Sequence, residues 1–223
     1  MSINRDVLAS AQCADAFRQI RWSLLFFCFN IHIGVDGLRI NLIPSILGWI
    51  MVSSALSAIA NLSPKLLSIK KLTSWLTVLS LSEIVQERPV IGTFRGIDLW
   101  VNHIPVIGIL GSVPISIGSY ILTTMLIWKL CELIEEIATV GRDNKVKNQA
   151  SQYKRTYVVA TFLGATVMAL TAALLPPPLV FVMLLAYIVA AVALTIRLLI
   201  STEQMCRRYA DRYSSFFNEA TNL

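Results

Sequence analysis

The sequence predicts an all-α fold, a polytopic transmembrane helical bundle with six spans, and three observations predict it. Of the 223 residues, 56% are hydrophobic and 14% charged, whereas a soluble domain carries about a quarter charged residues. With a mean hydropathy of +0.67, a soluble globule of this size would leave large apolar patches in water. The apolar residues collect into runs of span length, and the basic residues collect at alternate ends of those runs.

Taken in order, the chain opens with a polar stretch of mixed charge, MSINRDVLASAQCADAFRQI. It lacks the basic start and apolar centre of a cleavable signal, so the first apolar segment is expected to stay as an anchor. That segment, residues 22–35, contains Asn30 and His32 and is short for a span. Residues 42–62 form a second, uninterrupted apolar run. Residues 72–85 are again short, carry several Ser and Thr, and hold Glu83 near their end. Each short segment covers roughly 21 Å of helix against a hydrocarbon thickness of about 30 Å. Residues 104–130, 157–175 and 179–200 are long enough to cross.

Six crossings place Arg39, Arg88 and Arg95 outside and the rest of the 19 Lys and Arg inside, a strong positive-inside bias. The alternative is four spans plus two re-entrant or interfacial segments, with a weaker bias. Either way the N-terminus, residues 131–156 and the C-terminus face the cytoplasm. Residues 1–200 are then a single transmembrane helical domain with a cytoplasmic 131–156 segment. In that segment Leu133, Ile134, Ile137 and Val140 recur at helical spacing, so it continues span four. Residues 201–223 read as a cytoplasmic amphipathic tail, with Met205, Tyr209, Tyr213, Phe216 and Phe217 among Arg207, Arg208 and Arg212.

The connections differ in character. Three prolines, Pro176, Pro177 and Pro178, force a sharp reversal between the last two runs. Residues 86–103 read as an external loop lying partly in the interface. Pro105, Gly108, Gly111, Pro114 and Gly118 predict a kink or break in the outer half of span four.

The net charge of +6 does not indicate a nucleic-acid partner, because the basic residues cluster at the ends of apolar runs instead of along one face. Cys13, Cys28, Cys131 and Cys206 are widely spaced, with no CxxC pair, and read as reduced structural thiols. His32 and His103 are too few for a zinc site. HExxH, GxSxG and Walker-type loops are absent, so neither an enzyme, a cofactor nor a metal is indicated.

Two sets of residues remain as candidates. The first is polar: Asn30, His32, Asp36, Arg39 and Asn41 in the first hairpin, joined by Glu83. Such groups at membrane depth usually face a cavity or an ion path, but Gly34 and Gly37 place Asp36 and Arg39 in a turn, which favours an ordinary interfacial loop. The second is small: Ala160, Gly164 and Ala169 on span five, Ala186 and Ala190 on span six. Small residues at this spacing let membrane helices approach closely.

The expected function is a non-enzymatic integral membrane subunit. It forms a homo-oligomer and engages a cytoplasmic or membrane partner through 131–156 and 201–223. The alternative is a small ion or solute channel or transporter using the polar hairpin and span four. The lipid bilayer is the first partner, and a bacterial inner membrane is the expected location.

Overall fold

A computed structural model of the chain describes residues 3–28, 32–35, 38–41, 45–81, 85–87, 90–94, 97–100, 108–174 and 177–221. Side-chain surroundings are described over 3–27 apart from Leu25, 45–81, 117–160 and most of 179–215.

The body is helical. A single turn, α1 (Arg5–Leu8), is capped by Asn4, whose Oδ1 accepts the backbone N–H of Asp6 at 3.1 Å and of Val7 at 3.4 Å. Six longer helices follow: α2 (Ala11–Cys28), α3 (Ser45–Ala58), α4 (Lys65–Ser80), α5 (Gly108–Val140), α6 (Asn144–Leu174) and α7 (Pro177–Thr221). A 3-10 turn, Ala60–Leu62, carries α3 into α4. The tight turn at 141–143 carries α5 into α6. Helix α7 opens on Pro177, a position where the missing N–H removes no helical hydrogen bond.

Each long helix packs against its neighbour in sequence, and α7 packs against α2, so the six close into a ring. One end of that ring carries α1, the 3-10 turn and the 141–143 turn; we refer to it as the polar end. Among the described residues, fully buried side chains gather there: Leu8, Phe17, Leu62, Leu66, Ile134 and Leu199 come from five of the helices and the 3-10 turn. Each is worth about 1.5–3 kcal/mol when removed from water, which is why charged helices fold onto one another at this end.

The opposite, hairpin end contains short strands. Strands β1 (His32–Val35) and β2 (Leu38–Asn41) pair antiparallel, with Val35 opposite Leu38. Strand β3 (Val85–Glu87) joins β2 in the same sheet. Strands β4 (Val90–Phe94) and β5 (Ile97–Trp100) form a separate ladder with a register shift between Val90 and Gly92. These ladders revise three expectations. Residues 22–35 are helical only to Cys28, residues 72–85 leave the helix after Ser80, and the external loop over 86–103 is largely strand. The cause is local composition: Ile33, Val35, Ile40, Val85, Val90, Ile91, Thr93, Phe94, Ile97 and Trp100 are β-formers, and Asp36-Gly37 is a dipeptide favoured in hairpins.

Two further expectations change. Helix α5 runs as one element through Gly111, Pro114 and Gly118, so of the expected kink or break the break does not occur. Beyond Ile200 the helix continues without interruption, and Thr202, Glu203, Met205 and Cys206 are buried instead of lying on a surface.

Among the described residues, α5 and α7 contain the stretches long and apolar enough to cross a membrane, Ile117–Val140 and Leu185–Ser215. Helix α3 is a shorter apolar helix. This much is compatible with membrane insertion.

Candidate functional site

The polar end is where the fold brings chemistry together. It is stitched by ion pairs that join α2 to α7, α4 to α5 and α5 to α6. Arg21 on α2 reaches Glu203 on α7 at 3.0 Å. Glu203 also holds Arg207 one turn later at 3.1 Å, and Arg207 lies 3.6 Å from Asp15. Lys65 at the start of α4 pairs with Glu136 on α5. Lys154 on α6 pairs with Glu135 at 2.9 Å and sits 5.1 Å above the Trp128 ring. The Trp128 indole N–H donates to Glu132 at 2.8 Å.

These pairs determine what the acidic residues of α5 can do. Glu135 and Glu136 are adjacent in sequence yet serve two different lysines, so they do not act as a carboxylate pair. The hydrogen bond to Glu136 raises the Lys65 pKa above its usual value, with the neighbouring carboxylates adding to it. A cleft of about 520 Å³ opens between Lys65, Glu132, Glu135, Glu136, Lys147 and Lys154, and its charges largely satisfy one another.

The turn between α5 and α6 has the most unusual backbone. The N–H of Arg142 donates to the Thr139 carbonyl at 3.3 Å, and that of Asp143 to the Ala138 carbonyl at 2.9 Å. This pairing ends a helix with its next-to-last residue in the left-handed region, where Gly is usual. Here that residue is Arg142, with φ 54°, the one non-Gly residue of positive φ among those described. Gly141 sits one position too early to take that role. A Cβ on Gly141 would meet the Ile137 carbonyl at 3.3 Å and the Met205 sulfur at 3.5 Å, so its small size is used for contact with α7. The strain at Arg142 costs on the order of 1 kcal/mol.

Asp143 then caps α6, its Oδ1 accepting the Val146 N–H at 3.1 Å. Its Oδ2 accepts from Arg208 at 2.9 Å. Arg212 donates to the Gly141 carbonyl at 3.2 Å. Two adjoining clefts result, about 670 Å³ beside Arg142 and Arg212 and about 580 Å³ beside Lys145 and Arg207; Asp143 and Arg208 line both.

Few of the sequence candidates meet here. His32, Arg39 and Asn41 lie on β1 and β2, His32 opposite Asn41 and Arg39 opposite Gly34. Asn30, Asp36 and Glu83 lie outside the described residues. Ala160 is partly buried on α6, whereas Ala186 and Ala190 are exposed on α7. Gly164 and Ala169 lie on α6, in a stretch whose side-chain surroundings are outside the description. Sequence reasoning missed the α2 to α7 contacts, including Cys13 and Cys206, whose sulfurs are 3.4 Å apart. These partners lie at opposite ends of the chain, and no local pattern marks them.

No family model, curated protein or solved structure matches the chain.

Proposed function

We propose that the protein is a non-enzymatic integral membrane subunit whose helices cross the bilayer between the hairpins, which lie on the outer side, and the packed polar end, which is the part presented to partners. One observation carries this reading: among the described residues, many large apolar side chains are exposed along the helices beyond the packed polar end. Val78, Leu81, Ile117, Ile121, Val182 and Val189 are each more than half exposed, a surface that suits acyl chains and not water. A helix of 45 residues is about 68 Å long, roughly twice the hydrocarbon thickness, so much of α7 must project beyond the membrane.

In this reading the six helices cross in alternation, the termini and the 141–143 turn are cytoplasmic, and the host membrane is a bacterial inner membrane. Exposure of Ala186 and Ala190 leaves a small-residue face of α7 free for a second copy, which supports oligomerisation. A channel is the less favoured alternative. A continuous α5 weakens one of its two motives, and the side chains of Phe17, Leu66, Ile134 and Leu199 fill the polar end.

The test is topological. Single cysteines at Gly92 and Asn148, in a background without native cysteines, should react with an impermeant maleimide from opposite faces of sealed vesicles. Labelling of both from one face, or release of the protein by alkaline carbonate, would overturn the reading.

A further inference from the structure

The polar end carries an unpaired concentration of positive charge at its far tip. Arg142, Lys145 and Arg212 are exposed and have no carboxylate partner among the described residues, unlike Arg207 and Arg208. They flank the two clefts that Asp143 and Arg208 share. We propose that this pair of clefts is a docking groove for an extended acidic segment of a soluble protein partner. The inference rests on the membrane reading and identifies the kind of partner that the polar end takes.

With the apolar runs ending at Tyr157 and Ile200, as the sequence places them, position argues against the nearest alternative anion. From the start of the apolar run at Tyr157 back to Asn144, α6 rises about 20 Å, and from Ile200 to Arg212, α7 rises about 18 Å. Both exceed the screening length of about 8 Å at physiological salt, so lipid headgroups lie too far away to be the ligand. Shape and sign argue the rest. Open clefts on either side of the Asp143–Arg208 pair fit a chain carrying several spaced charges better than one compact anion. Asp211, which also lines the larger cleft, repels a continuous polyphosphate, but it can accept a hydrogen bond from a peptide N–H.

The backbone supplies an independent reason. Gly at position 142 would relieve the left-handed strain, yet the chain has an exposed Arg there. Strained residues concentrate where a side chain is needed for function. Arg212 and Arg208 are held in place by the Gly141 carbonyl and by Asp143, so the groove is organised before anything binds.

That same strain provides a clean test, because Arg142→Gly deletes the charge while easing the fold. The full chain in a neutral detergent is titrated into a fluorescein-labelled oligoglutamate peptide and read by anisotropy. Arg142→Gly should weaken binding about two- to fivefold, the range of one exposed charge pair. The triple variant Arg142→Gly/Lys145→Gln/Arg212→Gln should weaken it at least about tenfold, and added salt should weaken the wild type. Lys70→Gln/Lys71→Gln, which removes exposed charge on α4, should leave binding unchanged. The groove is overturned if the wild type ignores the peptide, if Lys70→Gln/Lys71→Gln weakens binding as much as the triple variant, or if polyphosphate binds where oligoglutamate does not. Competition by phosphatidylglycerol vesicles would also overturn it, by making the tip a lipid site. Carbonate extraction tests the membrane reading separately, so the two can fail independently.

Discussion

The two ends of the helical ring differ in the direction their apolar residues point. At the polar end Phe17, Leu62, Ile69, Ile134 and Ile137 are wholly inside. At the hairpin end Trp75, Val78, Ile121, Val182 and Val189 point outward. Both sets sit on helices, so helix propensity does not explain the contrast; under the proposed membrane reading, the surrounding solvent does. In water, helices gain by burying apolar faces against one another. In lipid that gain vanishes, and packing relies on shape and small residues. Among the described residues, charged groups follow the same division, since the interhelical ion pairs found there lie at the polar end.

This contrast can be broken most sharply by truncating one side chain at each end. Phe17→Ala should lower stability by about 3–5 kcal/mol, because it empties a fully enclosed site. Val189→Ala should change stability by no more than about 0.5 kcal/mol. Denaturant titration of detergent-solubilised protein, followed by circular dichroism, measures both; equal losses would abolish the distinction between the ends.

A smaller effect separates two glycines. A Cβ at Gly48 would lie 2.6 Å from the Phe27 ring, which is itself held 4.5 Å from Trp49. Gly48→Ala should therefore cost about 1–3 kcal/mol by forcing the ring aside. Nothing lies within 4 Å of the corresponding position at Gly118, so Gly118→Ala should be neutral or stabilise by up to about 1 kcal/mol through helix propensity. Thermal melts of the two variants provide the comparison.

The smallest effect is set by pH at the polar end. Lys65 titrates above its usual value because of Glu136. A raised folded-state pKa contributes stability that is fully present below the unfolded value, near pH 10.4, and is lost as pH rises through the folded one. Since the pair is partly exposed, its worth is at most about 0.5 kcal/mol. Melts of wild type and Lys65→Met should differ slightly at pH 8 and converge above pH 11 (roughly one unit past the free-lysine value).

Much of the helical body was legible in the sequence because apolar runs, prolines and charge clusters are local signals. The 157–175 and 179–200 runs and their proline-marked reversal correspond to α6, α7 and their junction. The strands were missed because β-formers such as Ile33, Val35 and Ile40 merge into apolar runs and read as weak spans. The tip groove was half legible: its arginines were seen as a tail and its lysines as part of 131–156. Only folding shows that Arg212 reaches Gly141 and that Arg142, not Gly141, takes the left-handed position. The candidate polar hairpin was chosen for unusual residues, whereas the tip is built from ordinary ones brought close by three helices.

The contact between α2 and α7 has a consequence for how the protein is made. Cys13 and Cys206 touch across 193 residues of chain. At a synthesis rate of about 5–20 residues per second, the segment containing Phe17 waits roughly 10–40 s for its partner to leave the ribosome. During that interval a face meant for burial is exposed to water. The face of α2 that packs against α7 is therefore completed last, after the rest of the ring has been synthesised.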